Sequence, residues 1–218
     1  MLGAAAIREA GLNLALITLA DCRGLAASLA DIVVLKSFAE VTPAQRLGPT
    51  TVEAHRALFA GLLPGPVADP PVPELSLPVE LAGAGYQTVG VGGGRPFNNP
   101  SLLAGFERFA RRPREAPDQL EALRREIDLA SPFLAFAYLM ETSYSREWGI
   151  ADQIAAAEQV DAALAWLLSE LPANTLVVAS SDHGVCFGEG NCWGEREDHP
   201  AHRDVFVSCF RLDGGPWP

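Results

Sequence analysis

The chain has 218 residues, 49% of them hydrophobic and 20% charged, which is a globular balance with ample apolar material for a core. Its formal net charge of −11 excludes broad nucleic-acid binding, which needs a basic surface to displace counterions. An anionic small substrate stays admissible, because a bound metal can reverse the local field. The four cysteines are irregularly spaced and read as free thiols of a reducing, cytoplasmic compartment rather than as a disulfide framework.

Leu12 to Ala20 is apolar and precedes Cys22, an arrangement superficially like a lipoprotein signal. Arg8 and Glu9 leave no positive excess before it, and Asp21 stands where a cleavage site needs a small residue. The stretch is also too short to span a bilayer. Asn13 to Leu19 is therefore expected to be a central parallel strand covered on both faces. Asp21 to Ala30 reads as helix and Ile32 to Leu35 as a short strand. Thr51 to Leu63 reads as a helix with Thr50 or Thr51 as N-cap. The proline-rich residues 64–78 read as loop. Val79 to Ala84 reads as a short helix ended by Gly85, and Tyr86 to Val91 as a strand. Gln119 to Leu129 is expected to be an amphipathic helix, Phe133 to Met140 a strand, and Ala151 to Leu171 a long helix. Strands through Ala179 and from Val205 to Leu212 complete the pattern. The length allows one large α/β domain or two small ones, and this alternation is the signature of a parallel sheet with helices on both faces. The expected architecture is a three-layer α/β/α sandwich around a mostly parallel sheet.

The chemistry concentrates after the strand ending at Ala179, in Ser180-Ser181-Asp182-His183-Gly184. Ligands of open α/β sheets bind at the carboxyl ends of strands. Asp182 and His183 there suit a divalent metal such as zinc or manganese, and Gly184 permits a sharp turn. A polar turn capped by Asp182 is the alternative. Asp21, just past the first strand, is a second carboxylate for the same crevice or an N-cap. Thr51 opens a helix whose dipole favours a bound phosphate or sulfate, and a metal could activate its hydroxyl as a nucleophile. Three of the four histidines, His183, His199 and His202, fall within twenty residues of one another. A competing grouping of Cys186, Cys192, His199 and His202 as structural zinc ligands matches no common spacing. Cys22, at a helix start beside Arg23, is a further candidate nucleophile.

Taken in order, NLALITLADCRG, PTTVEAHRALFAGLLP, LAGAGYQTVGVGGG and SDHGVCFGEGNCWGEREDHP resemble the alkaline phosphatase/sulfatase superfamily, in a compact sulfatase-like form. The resemblance covers roughly residues 12–212 and implies its fold, as a single domain over residues 1–218 with its core at 12–212. It implies one or two divalent ions, zinc or manganese before calcium or magnesium. Asp182 and His183 would bind one metal, with Thr51 as nucleophile beside it, Asp21 as the amino-terminal ligand and His199 in a second site. His55, Arg23, Glu141, Glu195 and His202 would be accessory. The implied activity is hydrolysis or transfer of phosphate, phosphonate or sulfate esters. A catalytically degenerate binding or scaffold protein is the alternative, because the chain departs from the family at Ala20, Glu53, Ser143 and Glu195. The expected partner is a small anionic ester, with neither nucleic acid nor membrane; a homo-oligomer is compatible with this reading.

Overall fold

The computed structural model describes residues 4–23, 42–45, 48, 50–61, 76–111, 115–143, 149–194 and 199–216. The expected strand Ile32 to Leu35, most of the expected helix to Ala30, most of the proline-rich loop and Glu195 lie outside them.

Among the described residues, seven strands form one sheet. They are β1 (Asn13–Leu19), β2 (Thr42–Gln45), β3 (Gln87–Gly92), β4 (Arg108–Arg111), β5 (Phe133–Leu139), β6 (Thr175–Ser181) and a later strand, Asp204–Arg211. A short hairpin of β7 (Cys186–Phe187) and β8 (Trp193–Gly194) precedes that last strand, which is therefore β9. The order is β2-β9-β6-β1-β5-β3-β4. Strand β1 lies at the centre, parallel to β5 and β6, and every one of its residues is buried. Full burial on both faces is why its sequence is a continuous apolar run rather than an alternation. Strand β9 runs antiparallel to β6, and β2 antiparallel to β9, so the sheet is mixed with a parallel centre.

Alternate residues of β1 serve the two faces. Ala15, Ile17 and Leu19 join a core with Leu120 and Leu123 of the helix Ala116–Glu126 and Val160 and Leu164 of the helix Ile150–Glu170. Leu14 and Leu16 join Phe59 of the helix Thr51–Ala60 and Leu81 of the helix Leu77–Gly83. The result is helix, sheet, helix, as expected. A helix not anticipated, α1 (Ala4–Glu9), buries Ile7 against the second core. Among the described residues the other α-helices, in chain order, are α2 (Thr51–Ala60), α3 (Leu77–Gly83), α4 (Pro100–Leu103), α5 (Ala116–Glu126), α6 (Ile150–Glu170) and α7 (Pro200–Arg203). Helix α2 ends three residues sooner than its apolar pattern suggests, because Gly61 adopts φ 66° and caps it. None of the helices is long and apolar enough to cross a membrane, among the described residues.

The cysteine reading needs correction. Cys186 and Cys192 form a disulfide, so the four cysteines are not all free thiols. Cys22 and Cys209 are free. The pairing removes the argument from cysteine usage for a reducing compartment.

Candidate metal and ester site

Three strand ends converge. Strand β1 delivers Asp21, β6 delivers Asp182 and His183, and β5 delivers Tyr138 and, just beyond its end, Ser143. Asp21 reaches the site through an unusual backbone. Its φ is 55°, in the left-handed region, where Asp is among the few tolerated non-glycine residues. Such a conformation costs on the order of 1 kcal/mol and persists where surroundings hold it. Here they do. The Asp21 amide donates to Oδ1 of Asp182 at 3.0 Å, and Gln153 Nε2 donates to the Asp21 carbonyl at 2.8 Å. Thr142 Oγ1 donates to the carbonyl of Ala20 at 2.6 Å, and Ser143 Oγ donates to Oδ2 of Asp21 at 2.8 Å. The left-handed turn thus accompanies an Asp21 carboxylate lying beside His183, with Oδ1 3.3 Å from Nδ1. Ser143, one of the departures from the pattern that the resemblance implies, donates to this carboxylate and steadies it.

Asp182 is buried and accepts two further bonds, from the His183 amide at 2.9 Å and from Tyr138 Oη at 3.2 Å. Burial and the neighbouring carboxylates of Asp182 and Asp21 push the Tyr138 phenol well above its ordinary pKa, so it stays a donor. Tyr138 was not anticipated as a site residue; its place in an apolar strand reads as core.

His183 is the hub. Its Nδ1 lies 3.2 Å from the Gly184 carbonyl and 3.3 Å from Asp21 Oδ1. A carbonyl only accepts, so Nδ1 carries the proton and Nε2 keeps its lone pair. Nε2 faces Thr51 Oγ1 at 3.3 Å and Asp182 Oδ2 at 3.8 Å. Asp21, Asp182 and His183 each offer a ligand atom, and these atoms lie within 4.8 Å of one another. Two buried carboxylates with an imidazole form a donor set of the kind that holds zinc or manganese, and the ion's charge would offset theirs.

Thr50, not Thr51, caps α2, accepting from the Glu53 amide at 3.3 Å while donating to Glu53 Oε2 at 2.8 Å. Glu53, one of the departures from the pattern that the resemblance implies, therefore belongs to the cap, and the Thr51 hydroxyl faces His183 instead. His55 is buried against Phe59, Phe97, Phe136 and Tyr138, and its Nδ1–H donates to the Thr51 carbonyl at 2.7 Å. It supports the helix start rather than joining the Asp21–Asp182–His183 group. His202 packs its ring on His183, with centroids 4.7 Å apart. Gly184 allows that approach, since a Cβ there would lie 2.1 Å from the Ala201 carbonyl oxygen. Close packing, rather than a positive φ, is what requires glycine at this position. Arg23 pairs with Glu189 and lies 4.0 Å from Asp204 Oδ2, tying the β7–β8 hairpin to the end of β1.

Other candidates fall elsewhere. His199 caps α7, its Nδ1 accepting from the Ala201 amide at 3.2 Å, and it groups with Cys186 and Cys192 rather than with the Asp-His cluster. Of the four-residue zinc grouping, Cys186, Cys192 and His199 lie together, with the two cysteines joined by a disulfide, while His202 packs on His183 instead. Glu141 lines a separate cleft of about 760 Å³ with Glu115, Glu121 and Trp166. Cys22 is buried and its thiol is pushed up to about 12, chiefly by burial and then by Asp182, so it is no ready nucleophile.

No family model matches the sequence, and no curated protein does. Solved structures do match by shape. The C-terminal periplasmic domain of EptC from Escherichia coli, in complex with Zn, aligns at TM-score 0.67 and 15% identity over 92% of this chain and 72% of that one. An alkaline phosphatase superfamily protein from Vibrio parahaemolyticus aligns at TM-score 0.70 and 15% identity, over 94% and 61%. A 2-O GAG sulfatase aligns at TM-score 0.67 and 13% identity, over 94% and 66%. The chain thus spans less than two thirds of the length of two of these neighbours. With its parallel centre, its flanking helix layers and these neighbours, the chain has the sulfatase-like fold of the alkaline phosphatase superfamily.

Proposed function

We propose that the chain is a metal-dependent hydrolase or transferase of phosphate, phosphonate or sulfate esters, with Thr51 as nucleophile. The observation that carries this reading is the placement of the Thr51 hydroxyl at a helix start, 3.3 Å from His183 within the Asp21–Asp182–His183 cluster. Asp21, Asp182 and His183 would hold the ion. Once bound, it supplies Lewis-acid chemistry, favouring the threonine alkoxide and neutralising charge on the ester oxygens. Ser143 and Tyr138 orient the two carboxylates. The positive end of α2 favours the anionic ester beside Thr51. Attack by Oγ1 on phosphorus or sulfur would form a covalent Thr51 ester and expel the alcohol; an acceptor, water or a second alcohol, would then release it.

A second reading rests on one specific feature. Thr51 Oγ1, His183 Nε2, His183 Nδ1 and Asp21 Oδ1 form a continuous nucleophile–base–carboxylate chain. In that arrangement His183 takes the threonine proton itself.

The test is hydrolysis of aryl phosphate, phosphonate and sulfate by the purified chain, with zinc or manganese and after chelation. Activity lost on chelation and restored by metal supports the first reading; chelator-insensitive activity that needs His183 supports the second. Thr51→Ala is expected to lose about 10³-fold or more in kcat. A variant as active as the parent removes Thr51 from both. Stoichiometric metal binding with no turnover favours the binding-protein alternative.

A further inference from the structure

We infer that Cys186, Cys192 and His199 form a second, redox-gated site for a soft divalent cation such as zinc. It is separate from the Asp21–Asp182–His183 cluster. The ligand atoms of the three residues lie within 4.8 Å of one another. Both sulfurs belong to buried residues, and the two cysteines stand six positions apart across the β7–β8 hairpin. Strand pairing of Cys186 with Gly194 and the bond from the Gly188 amide to the Cys192 carbonyl at 2.8 Å hold the hairpin closed independently of the sulfur–sulfur bond. Reduction therefore leaves the two sulfurs facing each other. His199 approaches from α7, and its Nε2 lies 4.0 Å from where a Cβ on Gly190 would stand, against the same hairpin. Two thiolates and an imidazole are a standard zinc donor set, with water available for the fourth position.

The chemistry balances with a dithiol as reductant. The dithiol gives two electrons and two protons to the Cys186–Cys192 bond and becomes a disulfide itself. The two freed thiols then lose their protons to solvent as the cation binds. His199 must also change. Its Nδ1 lone pair now accepts from the Ala201 amide, so ligation through either ring nitrogen gives up that cap. The same hairpin carries Glu189, the partner of Arg23, which places the switch within one ion pair of the strand end bearing Asp21.

Cobalt(II) separates this site from the other one, because only thiolate ligands give an intense sulfur-to-cobalt charge-transfer band. The Asp-His cluster contains no sulfur, so failure there leaves this readout unaffected. The full chain would be titrated with cobalt, oxidised and after reduction with a phosphine. The reduced protein is expected to bind one ion with the charge-transfer band; the oxidised protein should show none. Cys192→Ser should abolish the band, and His199→Ala should weaken binding more than about 10-fold. Circular dichroism checks that each variant is folded. A reduced parent without the band overturns the assignment, as does a band that survives Cys192→Ser and so arises from Cys22 or Cys209. Unaltered affinity in His199→Ala overturns it also.

Discussion

The main-chain amide of Asp21 donates to the carboxylate of Asp182 at 3.0 Å, joining residues 161 positions apart at adjacent strand ends. One ligand candidate thus helps to position the other. The Asp21 backbone is in the left-handed region, and Ser143 Oγ donates to its carboxylate at 2.8 Å.

Ser143→Ala should therefore lower metal affinity without unfolding the protein. Outer groups that orient a ligand are worth about 10–100-fold in affinity. A loss near the lower end is expected, since the Asp182 bond still restrains the Asp21 backbone. Calorimetric titration with zinc or manganese measures it. An affinity equal to the parent's would show that Asp21 needs no such support, or binds no metal.

The legible parts of the sequence were those where burial alone dictates the pattern. Strands β1, β5 and β6 are buried on nearly every residue, so they read as apolar runs ending at the site. Strands β2 (TPAQ) and β4 (RFAR) did not read as strands. They are the four-residue edge strands of the sheet among the described residues, and carry proline or arginine as edge strands do. Asp182 and His183 could be named from their place after β6. Asp21 could be suspected, but its orientation could not be read, because a positive φ at a non-glycine residue leaves no compositional trace. The Cys186–Cys192 pairing was hidden because connectivity depends on a hairpin too short to show a strand pattern. His199 reads two ways in the sequence, in a second metal site by resemblance or with the cysteines, and only the hairpin geometry brings its ligand atom within 4.8 Å of those of Cys186 and Cys192.

His55 predicts an acid limb in stability. Burial lowers its pKa from the ordinary 6.5, with nearby Asp182 opposing. The folded state then prefers neutral imidazole, while the unfolded chain takes up a proton below 6.5. Stability is accordingly present above that pH and lost as pH falls through it. His55→Phe suits the aromatic surroundings and removes this titration, at the cost of the bond to the Thr51 carbonyl. Urea midpoints from pH 8 to 5 should show a shallower acid limb in the variant. A limb of unchanged steepness would place the titrating group elsewhere.

Glu141 predicts the opposite sign. Burial, with a contribution from Glu115, pushes its carboxyl from 4.5 up to about 7. The folded state holds this proton more tightly than the unfolded chain does. Stability is greatest at low pH for this group and is lost as pH rises from 4.5 through about 7. Glu141→Gln should be more stable than the parent above pH 7, on the order of 1 kcal/mol once partial solvent exposure is allowed for, and the two should converge toward pH 4.5. Thermal melts at several pH values test this. A glutamine variant less stable than the parent at pH 8 would mean that the carboxylate is paired there.

Cys22 supplies a probe of the site's rigidity. Its thiol is 3% exposed at the end of β1, and burial with the charges of Asp182, Asp21 and Asp204 pushes it up to about 12. At neutral pH it is both protonated and shielded, so iodoacetamide should leave it unmodified in the folded protein. Cys209 is exposed and serves as the internal reference. Alkylation of Cys22 then requires the end of β1 to separate from its neighbours, and its rate reports that local opening. Since Asp21 adjoins Cys22, a metal bound at the Asp-His cluster should slow the reaction further, in proportion to its occupancy. Mass spectrometry of peptides across a time course measures both cysteines at once. Modification of Cys22 as fast as Cys209 would mean an open strand end and a cluster too loose to hold an ion; protection that deepens with added zinc or manganese would tie the thiol's shielding to the same site.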